Sequence, residues 1–174
     1  ARLHEVTMAL SAELLFSSGV FETKMLAEQA LERSLDSGRA AEIFSKMVSV
    51  LGGPSDFVER AAYYLPRAAI TKPVLATDCG VLVSINTRAI GMAVLGLGGG
   101  RLRSSDTIDY AVGIRQFAGL GRQINKGDVI AEICAKTEDA ADRAMAEINA
   151  AIRISSEEMH DEQGVFPSVI ERVT

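Results

Sequence analysis

The apolar pattern of the chain changes at Pro66. Before it, apolar side chains recur at helical spacing in four blocks; from Lys72-Pro73 onward the chain becomes short runs of Val, Ile and Leu divided by glycine. Helical spacing buries one stripe of a helix, whereas short β-branched runs suit strands, and the irregular order of the two argues against a regular βαβ repeat. The expected class is α+β, with a helical segment over 1–66, a linker over 67–73 and a mixed α/β domain over 74–174.

In the helical segment, Leu3, Val6, Leu10 and Leu14 form an apolar row over 2–16, closed by Ser17-Ser18-Gly19. No Ser, Thr, Asp or Asn precedes that row to cap it, and the chain opens on Ala1, a pattern that reads as a chain cut inside a longer protein. Thr23 is placed to cap a second helix that stops at Asp36-Ser37-Gly38. A third helix over 39–51 carries Ile43, Phe44, Met47, Val48 and Leu51 on one face and meets Gly52-Gly53-Pro54. Ser55 and Asp56 open a fourth, ended by Pro66.

In the second half, VLAT and the VLVSI run at 81–85 predict buried strands, and Asn86 or Thr87 caps a helix, TRAIGMAVLGL, that runs into Gly98-Gly99-Gly100. IDYAVGI predicts a strand. LGRQINKGDVIAEICAK predicts a hairpin about Asn125-Lys126-Gly127-Asp128. Thr137, followed by Glu138 and Asp139, caps a long helix through Ile152, and VFPSVIERV predicts a closing strand.

A formal charge of −5 with scattered lysines and arginines lacks the basic stripe of a nucleic-acid binder. No apolar run reaches the length of a membrane span, and the start shows no leader pattern. With 174 residues, 48% of them apolar, a core needs no metal or disulfide. Cys79 and Cys134 are expected to be buried, reduced thiols, which favours the cytoplasm. His4 and His160 sit far apart in no metal-site spacing.

The stretch GLGGGRLRSSDTID, residues 96–109, has the composition of an anion cradle: Gly98, Gly99 and Gly100 for close backbone approach, then Arg101, Arg103, Ser104 and Ser105 as donors. Its spacing is not that of a cradle. Arg101 stands where a dinucleotide fingerprint needs glycine, and no Gly-Lys-Ser/Thr follows. Asp106 and Asp109 would meet as an acid/base pair only on a helix, and the sequence after them predicts strand. A solvated Gly-rich surface loop is the plainer expectation. Lys126-Gly127-Asp128 is similar to the turn that presents the modified lysine of lipoyl and biotinyl carrier domains, without the Met-Lys-Met setting.

Five blocks in order, RLHEVTMALSAELL, DSGRAAEIFSKMV, GGPSDFVERAAYYLP, GLGGGRLRSSDTIDYAVGI and INKGDVIAEICAK, resemble the carboxy-terminal part of the pyrimidine nucleoside phosphorylase family. The resemblance runs from about residue 2 to about residue 154. It implies that 1–66 are helices completing a catalytic α/β domain and that 74–174 hold the family's hammerhead-type carboxy-terminal domain. It implies phosphorolysis, in which phosphate attacks C1′ of thymidine and leaves thymine and 2-deoxyribose 1-phosphate, in a homodimeric cytoplasmic enzyme that closes about a hinge and uses no cofactor or metal.

The family's phosphate-binding Lys-His-Ser segment and Ser-Gly-Arg signature belong to its amino-terminal part. Ser37-Gly38-Arg39 copies three letters of that signature, but Ala40-Ala41-Glu42-Ile43 does not continue it, and Ser37 reads as a helix cap. No catalytic residue is therefore assigned, and the chain is expected to be inactive alone. The resemblance leaves Gly98, Gly99, Gly100, Arg101, Arg103, Ser104, Ser105 and Asp106 as a candidate closure loop, weakly ordered in the isolated chain, with Arg101 or Arg103 meeting the opposing domain. Two alternatives stay open: a carrier module modified at Lys126, and a regulatory module that binds a phosphorylated small molecule through Arg101 and Arg103.

Overall fold

The computed structural model describes residues 2–156. These divide into two compact units, one reaching Tyr64 and one beginning at Leu65. The strand expected at 165–173, and His160, lie outside the described residues.

The first unit holds α1 (Arg2–Ser17), α2 (Lys24–Asp36), α3 (Arg39–Val50) and α4 (Phe57–Tyr64). Thr23 caps α2 as expected, its Oγ1 accepting from the Leu26 amide at 3.3 Å. Helix α1 packs on α2, and the fully buried residues there are Ala12 and Ala27, small side chains that allow close helix approach. Ser37 ends α2, donating its amide to the Arg33 carbonyl at 3.0 Å. After α3, the Gly52 amide donates to Ser49 and that of Gly53 to Val48, with Gly52 at φ +89°, where a side chain would be strained. The apolar face predicted on α3 forms, yet Ile43, Phe44 and Met47 keep about half their surface exposed, 53%, 44% and 49%. Helix α4 bends at Arg60, whose φ/ψ of −123°/26° is non-helical.

The second unit contains β1 (Ile70–Leu75), β2 (Gly80–Ile85), α5 (Thr87–Leu97), β3 (Gly113–Arg115), β4 (Gln123–Ile124), β5 (Val129–Ala135), α6 (Glu138–Ala151) and β6 (Ile152–Ser155). They form two antiparallel sheets of order β1-β5-β3 and β4-β2-β6. With helices and strands mixed in this way, the chain is α+β. Central strand β5 carries Ile130, Ala131, Ile133 and Ala135 into the core, where Val74, Leu82, Ile124 and Ile148 are also fully buried. Helix α6 presents Ala141, Ala144, Ile148 and Ala151 at helical spacing and packs on α5, β1 and β5. Its cap is Thr137, whose Oγ1 accepts from the Ala140 amide at 3.2 Å, and Asn86 does the same for α5 through the Ala89 amide at 3.1 Å.

Several expectations change. Strand β1 begins at Ile70, within the stretch read as linker, and carries Pro73, which an edge strand tolerates. IDYAVGI is not a strand: Asp109 Oδ1 accepts from the Ala111 amide at 2.9 Å and turns the chain, so only Gly113–Arg115 joins the ladder. The reversal at 125–128 exists but is no two-stranded hairpin, because β4 pairs with β2 while β5 pairs with β1 and β3. Helix α6 stops one residue early, and Ile152 starts β6 on the far side of β2. Both cysteines are free, but Cys79 is exposed and Cys134 half-buried, so neither is the fully buried thiol expected. Cys79 sits between β1 and β2, where its sulfur accepts from the Lys126 amide at 3.3 Å.

Candidate functional site

Helix α5 ends where its glycines begin. The Gly98 amide donates to Leu95 O at 2.9 Å and the Gly99 amide to Val94 O at 3.0 Å, with Gly98 at φ +95°. A Cβ on Gly99 would meet Val94 Cγ1 at 2.9 Å and the Val94 carbonyl at 3.2 Å, so this backbone lies directly on the helix. These amides are spent on ending the helix and do not face an anion. The first two glycines of the triplet therefore serve the helix end.

Beyond Gly100 the chain makes an exposed turn. Asp106 Oδ2 accepts from the Arg103 amide at 2.8 Å and from the Leu102 amide at 3.1 Å, while the Asp106 amide donates to Arg103 O at 3.0 Å. At the base, the Asp109 amide donates to Gly98 O at 2.9 Å and joins the two ends of the loop. Arg101, Arg103, Ser104 and Ser105 are all exposed on this turn. Neither arginine belongs to an ion pair among the described residues. Asp106 and Asp109, considered above as an acid/base pair, each hold backbone amides instead.

The loop leads into an open cleft of about 430 Å³ lined by Pro66, Thr107, Ile108, Asp109, Tyr110 and Lys136. Tyr110 keeps 80% of its surface exposed. Lys136 comes from the junction of β5 and α6, far away in sequence. Sequence reasoning missed this cleft: Tyr110 read as one more residue of a strand, and Lys136 as the end of the INKGDVIAEICAK block, with nothing to bring the two together. The other residues weighed do not converge. His4 is exposed on α1 in the first unit, and Lys126 is exposed at the 125–128 turn. Among the described residues no group of three or more His, Cys, Asp or Glu is arranged to hold a metal, and no buried side-chain polar atom lacks a partner. No helix among them is long and apolar enough to cross a membrane.

Two small antiparallel sheets, a helix closed by glycines and an acid-held loop with two displayed arginines make up an α+β domain. Residues 81–155, from β2 through β6, match the family model of the pyrimidine nucleoside phosphorylase C-terminal domain. Over these residues the chain is similar to the C-terminal domain of that family. The family is one of pentosyltransferases acting on pyrimidine nucleosides and phosphate.

Proposed function

We propose that this chain is the carboxy-terminal part of a thymidine phosphorylase, contributing to phosphorolysis of thymidine into thymine and 2-deoxyribose 1-phosphate. In this reaction a phosphate oxygen forms the bond to C1′ as the bond from C1′ to the base nitrogen breaks, and the departing thymine takes a proton. The observation that carries the reading is the family match over 81–155, which takes in the whole Gly98–Asp106 loop. Holding a phosphate dianion in line and excluding water requires converging donors and a closed site. The loop offers two exposed arginines without such convergence.

On this reading helices α1–α4 complete the catalytic α/β domain, and the Gly98–Asp106 turn closes against the opposing domain through Arg101 or Arg103. The chain by itself turns over no nucleoside. The enzyme is a cytoplasmic homodimer, and the free thiols of Cys79 and Cys134 support that compartment. Phosphate-dependent release of thymine and of uracil, from thymidine and uridine, tests the reading. No release by this chain, and release favouring thymidine by a full-length phosphorylase bearing it, is expected; strong turnover by this chain alone overturns it.

A carrier role is the second reading, favoured by the exposed place of Lys126 at the tip of the 125–128 turn. An intact mass carrying a lipoyl or biotinyl adduct on Lys126 decides for it, and an unmodified mass from cells that make both cofactors decides against it.

A further inference from the structure

Resting on the closure-loop reading above, we infer that Asp106 is the positioning residue of that loop: its carboxylate fixes the Leu102–Asp106 turn so that Arg101 and Arg103 are presented before any substrate or domain contact is made. Two successive amides, those of Leu102 and Arg103, converge on a single oxygen, Asp106 Oδ2. Successive inward-facing amides are the arrangement that proteins use to hold a phosphate oxygen, and here an internal carboxylate fills it. The Leu102 and Arg103 amides are thus already occupied, and the arginine side chains are the charged donors that the turn displays.

The turn is also tied below. The Asp109 amide holds Gly98 O, and Gly98 and Gly99 are bonded back to α5. Arg101 and Arg103 thus stand on a short turn with fixed points at both ends. A loop already in its working conformation loses less conformational entropy on docking than one that must order at that moment. Asp106 acts through the arginines and touches no reacting atom itself.

The experiment compares Asp106→Ala, Asp106→Asn, Arg101→Ala and Arg103→Ala in the full-length phosphorylase that carries this sequence. It reads kcat, KM for phosphate and for nucleoside, thermal melting, and hydrogen exchange at the Leu102, Arg103 and Ala111 amides. Asp106→Ala is expected to speed exchange at Leu102 and Arg103 and to lower kcat, each about tenfold, with nucleoside KM held within about twofold. Ala111, held by Asp109, keeps its exchange rate, and Asp106→Asn, which retains an acceptor oxygen, recovers most of kcat.

Unchanged exchange at Leu102 and Arg103 in Asp106→Ala overturns the inference. So does faster exchange with unchanged kcat, provided that Arg101→Ala or Arg103→Ala lowers kcat. Unchanged kcat in both arginine variants instead overturns the closure reading on which the inference rests. Should melting show Asp106→Ala unfolded, Asp106→Glu decides, because its longer side chain moves the carboxylate away from the two amides. Fast Leu102 exchange in Asp106→Glu at wild-type kcat overturns the positioning role, and a matching loss of both supports it.

Discussion

The Tyr64 phenol donates to Asp56 Oδ1 at 2.7 Å, joining the residue before α4 to the last residue of that helix, past the bend at Arg60. Arg60 donates to the other carboxylate oxygen at 3.3 Å and lies 4.5 Å from the ring centre of Tyr63. The Tyr64 hydrogen bond is the chief cause holding the Asp56 carboxyl below its ordinary range, and the same bond is the chief cause raising the Tyr64 phenol. A depressed acid contributes stability above its unfolded pKa and loses it as pH falls through the folded one. A raised phenol contributes below its unfolded pKa and loses it as pH rises through the folded one. The bond therefore supports α4 from above the lowered Asp56 value to below the raised Tyr64 value. Tyr64→Phe is expected to move the Asp56 titration upward, followed by NMR of the carboxyl carbon, and an unmoved titration counts against this account.

Lys72 on β1 reaches two acids of α6, Asp142 and Glu138, the latter at 3.4 Å. The hydrogen bond with Asp142 is the main cause raising the Lys72 ammonium, with Glu138 adding to it. The stabilisation is complete below the ordinary lysine range and fades as pH rises through the raised folded value. Urea unfolding at alkaline pH checks this: the wild type is expected to lose stability over that range more steeply than Asp142→Asn.

Ile133 lies on central strand β5 with no exposed surface. Ile133→Ala is expected to cost about 2 to 5 kcal/mol, since the removed carbons leave a space that two sheets and a helix fill only in part. A chemical denaturation midpoint close to that of the wild type would show that the core collapses freely around β5.

Thr137→Ala removes the acceptor for the Ala140 amide at the start of α6. The expected loss is about 1 kcal/mol, and Thr137→Asn recovers most of it. Equal melting temperatures for the three proteins would rule out a capping contribution.

Local punctuation was legible in the sequence. Thr23 and Thr137 cap the helices they were expected to cap, Asn86 is the cap of the two residues offered for α5, and Gly52-Gly53 and Gly98-Gly99 end helices where predicted, because caps and stops depend on a few adjacent residues. Long-range pairing was not legible. Nothing in LGRQINKGDVIAEICAK says that its two arms serve different sheets, since partner choice depends on β1 and β2 about 40 to 60 residues earlier. Strand β6 was hidden because Ile152 and Ile154 continue an apolar pattern that also fits the end of a helix. In the candidate site, the arginines and glycines were visible by composition. The role of Asp106 was not, because a carboxylate accepting from two amides three and four residues back leaves no periodic mark.

The 125–128 turn sends β4 to one sheet and β5 to the other, with Gly127 and Asp128 also bonded to Ala76. A residue added there would disturb the paired contacts that Gly127 and Asp128 make with Ala76, at the point where the chain passes between the sheets. Turns are ordinarily where protein lineages gain and lose residues. In this domain the four residues from Asn125 to Asp128 carry the crossing from one sheet to the other, and their length is held by the contacts with Ala76.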